Sequence, residues 1–445
     1  MTPPTEIPLE QGALFAASSG VLFSDAPDGS LELTVHHGSL NFTRKFKKTI
    51  ENLPPYEAFW LQFLQGKTKF PTAIGDRSYG VADLFCASGG LSLGFGSAAS
   101  LLNIPLNYVL GVDIDSRALE VYKHHHGDSE TYAGSVEDLV DYQVRDQGDK
   151  AYFAYQPKLT SIGENSVVDK IDIVLAGPPC QGNSTMNVRT RYNDRRNKLY
   201  LSAVAFAVAV QAEIVLIENV PGVLKDVNGV VYTAIALLKS SGYHINGEVL
   251  AADKLGWPQT RKRYFLIATK KPKALSLKEI AVIGKRDAAN LKWIIGDLEE
   301  LSQKDVLHST PVLSDENVER IKYLHLEDKH DLPLHLRPKS HREGTTFTTV
   351  YGRLNWDKPS GTITTGFLSP GRGRYIHPTQ ERCLSPVEAA RIQGFPDDYF
   401  PIHDLVPEIR RMELAKWIGD AVPPILGFYA GIVALLSIRI ESENV

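Results

Sequence analysis

The sequence predicts an α/β chain, a doubly wound and mostly parallel sheet with a smaller second lobe. Three observations lead there. Between Tyr79 and Thr269, short apolar runs alternate with helical segments, as in a sheet wound by helices. Gly89, Asp113, Cys180 and Glu218 all fall at the carboxyl ends of those runs, where such sheets bind ligands. From about 270 to 380 the alternation breaks into a polar stretch with scattered charge and many Gly, Pro and Thr, which reads as a separate lobe. The chain has 445 residues, 43% hydrophobic and 22% charged, ordinary for a folded enzyme and against global disorder. Its three cysteines, Cys86, Cys180 and Cys383, lie far apart with no CxxC pair. That excludes a disulfide framework and gives no zinc signature, so no metal is expected. The formal net charge of −4 does not advertise nucleic acid, so binding of that kind must come from a local patch.

Taken in order, residues 1–78 stand apart and carry no assigned chemistry. MTPPTEIPLE lacks the basic and apolar regions of a secretory signal. SLELTV and LNFTRKF alternate on either side of HHG and predict a hairpin; a short helix follows, with Pro55 near its start and Gly66 after its end. GVADLFC is the first strand of the sheet, ASGG its turn, and LSLGFGSAASLL a helix. NYVLGVDID is the second strand, followed by a helix from about Ser116 to His125. DIVLAG runs into PPCQG. LYLSAVAFAVAVQ is an apolar helix and EIVLIENV the next strand. A helix near Val230–Ser240 precedes YHINGEVLAA and KRYFLIAT. After the polar lobe, LSPVEAARIQGF opens a helix capped by Ser385 with Pro386 at its first position. The apolar stretches Leu199–Ala212 and Ile425–Ile438 fall short of the roughly 20 residues that span a bilayer, so buried helices are expected and no membrane partner.

Four constellations carry chemistry. The ASGG turn brings backbone amides toward a ligand at a helix N-terminus, and Asp113 can accept hydrogen bonds from ribose hydroxyls. A tight turn with a capping carboxylate explains the same residues. The turn is not GxGxxG, so a nicotinamide-dependent oxidoreductase fits poorly. Pro178 and Pro179 fix the backbone before Cys180. The following MNVRTRYNDRRNK holds five basic residues and one acid. Positive charge there favours a thiolate nucleophile and contacts with phosphates; a solvated face is the plain alternative. Glu218 ends an apolar strand, where burial raises a carboxyl pKa and equips it to donate a proton, or it is an ordinary strand-end acid. Arg261 and Arg263 point to one face of an extended chain and offer a guanidinium to a carbonyl or carboxylate, or form a basic strand edge.

DLFCASGGLSLGF, VDID, GPPCQG, DRRNKL, IENVPGV, QTRKR, LSPVEAARIQGFPDDY and GDAVPP, in that order over residues 79–270 and 350–435, resemble the cytosine carbon-5 DNA methyltransferases of bacterial restriction–modification systems. The resemblance implies the class I S-adenosylmethionine-dependent methyltransferase fold, with a cofactor-binding and catalytic domain at 79–270, a target recognition domain at 271–380 and a C-terminal segment, 381–445, returning to the catalytic domain. It implies methyl transfer from S-adenosyl-L-methionine to carbon 5 of a flipped-out cytosine in a specific double-stranded DNA sequence. Cys180 would attack ring carbon 6. Glu218 would hold ring nitrogen 3 and the exocyclic amine, and Arg263 the carbonyl oxygen, with Arg261 beside it. Phe85, Ser88, Gly89, Gly90, Asp113, Ile114, Ser135, Val136, Pro178, Leu199, Ala421 and Val422 would line the cofactor site. Gln181, Ser184, Arg189, Arg191, Arg195, Arg196 and Thr364 would face DNA. A cytoplasmic, nucleoid-associated monomer is implied, with a cognate endonuclease acting separately.

The sequence departs from the family pattern at four places. Ala87 replaces a glycine of the first motif, Ser135 an acid, Asn183 an aromatic residue, and Asp420 an asparagine. An RNA cytosine methyltransferase lacks support because its Cys-Phe-Thr signature is not here. Intact Cys180, Glu218 and Arg263 argue against an inactive DNA-binding homologue.

Overall fold

The computed structural model describes residues 19–166, 171–179, 198–272, 275–287, 289–342, 349–405 and 408–439. The chain opens with strands β1 (Ser19–Asp25), β2 (Leu31–His37) and β3 (Leu40–Phe46). The expected hairpin is β2–β3, and β1 adds to it as a third antiparallel strand. Helix α1 (Pro55–Leu64) starts at a proline, whose missing N–H costs nothing in a first turn. Then follow β4 (Tyr79–Leu84), α2 (Gly90–Leu101), β5 (Leu106–Asp113), α3 (Ser116–His126) and β6 (Glu130–Ala133). Two small ladders come next, built from β7 (Val140–Asp141), β8 (Val144–Arg145), β9 (Tyr152–Phe153) and β10 (Lys158–Leu159), with the short α4 (Ser161–Ser166). The main sheet resumes with β11 (Ile173–Ala176), α5 (Leu199–Ala209), β12 (Ile214–Asn219), α6 (Val230–Ser240), β13 (His244–Ala251) and β14 (Lys262–Thr269). Helices α7 (Leu277–Ile283), α8 (Lys292–Ile295), α9 (Asp315–Leu326), α10 (Pro386–Gln393), α11 (Arg411–Asp420) and α12 (Pro424–Arg439) complete the chain.

The central sheet has seven strands in the order β13-β14-β12-β11-β4-β5-β6. Its β12-β11-β4-β5-β6 portion is parallel, whereas β14 runs antiparallel to both β12 and β13. The sheet is therefore mixed. From β4 the chain winds outward to β5 and β6, then returns to place β11 on the other flank, so strand order reverses between β4 and β11. Ligands bind at such a reversal, beyond the carboxyl ends.

Alternate residues of each strand feed opposite layers, as the twofold side-chain period requires. Val81, Ile173, Leu175, Ile214, Leu216, Phe265 and Ile267 pack toward α2 and α12, and Ala82, Leu84, Val174, Ala176, Ile217 and Leu266 toward α5 and α6. Helix α12 is buried along its length. Among the described residues, the one helical stretch apolar enough to cross a membrane lies within Arg411–Arg439, and 94% of its most apolar window is buried inside the protein.

Two segments sit differently from their sequence division. The described N-terminal residues are part of the main core: Trp60 packs edge-on against Trp257 and Phe428, with ring centroids 5.8 and 5.4 Å apart. Within 271–380, α7 and α8 also join that core through Leu277, Ile280, Trp293, Ile294 and Ile295. Among the described residues, a separate small core forms around Ile321, Leu324, Leu332, Val350, Tyr351 and Ile376. Helix α10 has the expected cap. Ser385 accepts from the Glu388 amide at 3.4 Å, while the Glu388 carboxylate accepts from the Ser385 amide at 2.7 Å.

Candidate active site

The turn after β4 is the most strained backbone at the sheet's carboxyl ends. Phe85 and Ala87 both hold positive φ, 59° and 45°, and Gly89 holds 90°. Left-handed φ is costly for a residue with a Cβ and concentrates where surrounding structure enforces it, at functional sites above all. The enforcing contacts are visible. The Cys86 amide donates to the Val112 carbonyl at 3.0 Å and the Ala87 amide to Asp113 Oδ2 at 2.9 Å. Gly90 must lack a side chain, because a Cβ there would lie 2.6 Å from the Val422 carbonyl oxygen and 3.4 Å from the Ala421 Cβ. The closing motif of the sequence is thereby brought against its first.

Ala87 gives a direct test. Its methyl group occupies a conformation costing about 1–2 kcal/mol, partly offset by the greater chain entropy that glycine loses on folding. Ala87→Gly is expected to stabilise the protein by roughly 0.5–1 kcal/mol, read from the denaturant midpoint at constant slope. An unchanged or lower midpoint would mean the turn carries no such strain.

Asp113, at the end of β5, also accepts from the Asp115 amide through Oδ1 at 2.9 Å. Burial raises its carboxyl pKa, against those amide bonds and the nearby Lys416 ammonium. Ile114 beside it is 83% exposed, a large apolar side chain standing free at the strand end. Asp115 caps α3, and Lys416 Nζ and Trp417 Nε1 from α11 reach its Oδ2 at 2.7 and 3.2 Å. The Gly134 amide donates to the Asp113 carbonyl at 3.0 Å, which sets Ser135 next to this turn. The Ser135 hydroxyl accepts from the Glu137 amide as a helix cap. Val136, expected at the cofactor, has its side chain committed to the core below the sheet.

Glu218, next to last in β12, is only 6% exposed, and its Oε1 lies 2.6 Å from Arg263 Nε. Burial pushes its carboxyl pKa up, and the Arg263 and Arg261 guanidiniums pull the other way without cancelling the rise. The pairing depends on strand direction. Because β14 is antiparallel to β12, with Glu218 opposite Phe265 and Asn219 opposite Tyr264, the beginning of β14 lies at the end of β12. Asn219 was not singled out from the sequence. It donates through Nδ2 to the Pro178 carbonyl at 3.1 Å and so ties the loop after β11 to the end of β12. A Cβ on Gly177 would lie 3.7 Å from Val422 Cγ2, 3.8 Å from the Phe85 carbonyl oxygen and 3.9 Å from Glu218 Oε2, so the first, central and last motifs converge on one place.

Arg261 is 2% exposed and donates to the carbonyls of Ile363, Gly419 and Ala421 at 2.6, 3.2 and 2.9 Å. It precedes the first residue of β14, so strand alternation does not reach it, and it braces the Gly419–Ala421 segment while its charge also acts on Glu218. Thr364 is half-buried with its hydroxyl 2.8 Å from that of Tyr375. It backs onto α11, since a Cβ on Gly419 would meet the Thr364 carbonyl carbon at 2.4 Å. Pro178 is buried, and Leu199 begins α5 half-buried. Cys180, Gln181, Ser184, Arg189, Arg191, Arg195 and Arg196 lie outside the described residues.

The turn fits the S-adenosylmethionine expected from the motifs. Ser88 is fully buried, and its hydroxyl makes no hydrogen bond among the described residues, an uncompensated donor inside the turn. A carboxylate for ribose, an exposed aliphatic surface for a purine face and close-packed glycines surround it. Ser88, Asp113, Ile114, Gly90 and Val422 are the residues that would hold the group.

Known proteins place the chain. The family model described as C-5 cytosine-specific DNA methylase matches residues 79–431. Type II methyltransferase M1.BsuMI of Bacillus subtilis is 36% identical over 394 residues, covering 88% of this chain and 87% of that protein. Type II methylase M.HgiDII of Herpetosiphon aurantiacus is 26% identical over 358 residues, covering 78% and 92%. The fold is shared with the solved structure of S. pombe Dnmt2 methyltransferase, at TM-score 0.54 and 17% identity over 83% of this chain and all of that one. With its motifs gathered at one end of a mixed seven-stranded sheet and its sequence matched from the first strand of that sheet into the last helix, the chain belongs to the C-5 cytosine-specific DNA methylases, in the company of bacterial restriction–modification enzymes.

Proposed function

We propose that this DNA cytosine carbon-5 methyltransferase works through a transient bond between Cys180 and a cytosine lifted out of the duplex. The Glu218–Arg263 pair, 2.6 Å apart at the end of β12, is the observation that carries the reading. It presents one carboxyl and one guanidinium side by side, a donor–acceptor pattern that suits the ring nitrogen 3, amine and carbonyl edge of cytosine. Thymine has the opposite pattern at two of those positions, so it leaves Glu218 mismatched.

The residues divide the work. The Cys180 thiolate bonds to ring carbon 6 and pushes electron density to carbon 5. Glu218 donates a proton toward nitrogen 3 and accepts from the amine, which neutralises charge as the adduct forms. Arg263 holds the carbonyl oxygen. When bound, S-adenosylmethionine supplies the methyl group that carbon 5 receives. Loss of the carbon 5 proton and departure of the Cys180 sulfur restore the aromatic ring. The base must leave the stack because the sulfur approaches from above the ring plane. Arg189, Arg191, Arg195 and Arg196 meet phosphates, with Gln181 and Ser184 beside the base. The target recognition lobe lies within residues 271–380; the separate small core of residues 321–376 supports that reading, and Thr364 contacts DNA beside α11. The enzyme acts as a cytoplasmic monomer on double-stranded DNA, alongside a separate cognate endonuclease.

Duplex DNA containing 5-fluorocytosine in the recognised site is the direct test. Fluorine cannot leave carbon 5 as a proton does, so the adduct has no exit. The expected result is a stable protein–DNA complex, with the added mass on the peptide carrying Cys180. A modified Cys86 or Cys383, or no adduct with DNA that is otherwise methylated, would overturn the covalent route.

A further inference from the structure

The strained turn 85–90 is gripped from behind by a segment for which the reaction above has no use. After α10 the chain reverses at Gly394, φ 107°, and Phe395–Phe400 passes over the turn. Tyr399 is buried there, and its hydroxyl donates to the Ser88 carbonyl oxygen at 2.6 Å. The contact is tight enough that a Cβ on Gly89 would lie 2.8 Å from the same hydroxyl. One further element holds Tyr399 itself and another holds the segment just before it. His125 of α3 stacks on its ring, centroids 3.9 Å and planes 17° apart, with Nε2 2.7 Å from the Tyr399 carbonyl oxygen. Two residues earlier, the Asp397 amide donates to the carbonyl of Leu64, the last residue of α1, at 2.7 Å. The Asp397 carboxylate accepts from Arg391 Nε and Nη2, both at 2.6 Å. A continuous set of contacts thus runs from the N-terminal helix through Asp397 and Tyr399 to the turn.

We infer that Tyr399 is a positioning residue for S-adenosylmethionine binding, braced by His125 and by helix α1, so that the N-terminal segment serves the donor site. The inference rests on the reading of turn 85–90 as the donor's seat. Backbone in unfavourable φ persists only where neighbours over-determine it. Asp113 fixes the turn at the Ala87 amide, and Tyr399 fixes it two peptides later at Ser88. With only one of these bonds, the amides that meet the donor relax, and affinity is lost by the fraction of time the turn spends in its competent form.

Tyr399→Phe removes the hydroxyl and keeps the ring. Its expected effect is a KM and Kd for S-adenosylmethionine raised about five- to tenfold, the loss of one net hydrogen bond's worth of order. The kcat at saturating donor and the Kd for duplex DNA stay within twofold. The thermal midpoint without donor falls by no more than a few degrees, the cost of one buried hydrogen bond, and the upward shift produced by donor is reduced as well. His125→Asn, which keeps a donor near the Tyr399 carbonyl but loses the stack, is expected to move KM the same way by less, and carries the test if the tyrosine variant does not fold. A donor KM within twofold of the parent in both variants overturns the inference alone. So does a loss of DNA affinity with donor KM unmoved. A parent protein that binds no S-adenosylmethionine overturns the reading of the turn and the inference with it.

Discussion

Cys180→Ser is expected to reduce methyl transfer by roughly 10⁴-fold or more, to the limit of a tritium-transfer assay, while duplex binding stays within a few-fold of the parent. A serine hydroxyl keeps the shape but ionises far less readily than a thiol, so the attacking anion is lost. The other two cysteines cannot replace it. Cys86 and Cys383 are both buried, and burial raises their thiol pKa, Cys383 to about 12, which leaves neither a ready thiolate. Cys180 follows a loop anchored by the buried Pro178, whose carbonyl Asn219 holds at the end of β12. Full activity of the serine variant would refute the nucleophile assignment. Loss of duplex binding together with activity would point to misfolding of the loop instead.

Glu218→Gln is expected to lower kcat by about 10²- to 10⁴-fold, the usual size of a general-acid contribution with its electrostatic component. Glutamine fits the same space and still offers hydrogen bonds, so the loss reports the transferable proton and the charge. The pH profile adds a signed check. Burial raises the Glu218 pKa from the ordinary glutamate value, so on the proposed mechanism the protonated form that would serve nitrogen 3 survives to higher pH than an exposed glutamate would allow. The parent rate should fall as pH rises through that raised value. In the variant this limb should vanish, because glutamine does not titrate. An unchanged kcat, or the same limb in the variant, would remove Glu218 from the chemistry.

Local patterns carried much of the site. The strand–turn–helix order from Tyr79 to Thr269 was legible because a twofold apolar period, a glycine turn and a 3.6 period are properties of adjacent residues. The Ser385 cap was legible for the same reason, since its partner Glu388 is three residues away. Glu218 was readable as a strand-end acid, and the family motifs assigned it and Arg263 to one base. Tyr399 sat inside a quoted motif, but its partners are Ser88, 311 positions away, and His125, 274 away. No local period encodes such a pairing. The surroundings of Arg261 were hidden for a related reason. Its basic side chain invites a substrate role, and three backbone carbonyls from Ile363, Gly419 and Ala421 claim it.

The residue order by itself determined which chemical groups stand at strand ends and which elements follow one another, since both depend on short-range sterics and apolar spacing. Only the tertiary structure decided that β14 inserts antiparallel between β12 and β13, and that inversion is what delivers Arg263 to Glu218. It also decided that the N-terminal aromatic residues join the main core. Hydrophobic burial has no preferred direction, so the choice among distant partners belongs to the packing of the whole chain and the pairing of its backbone groups.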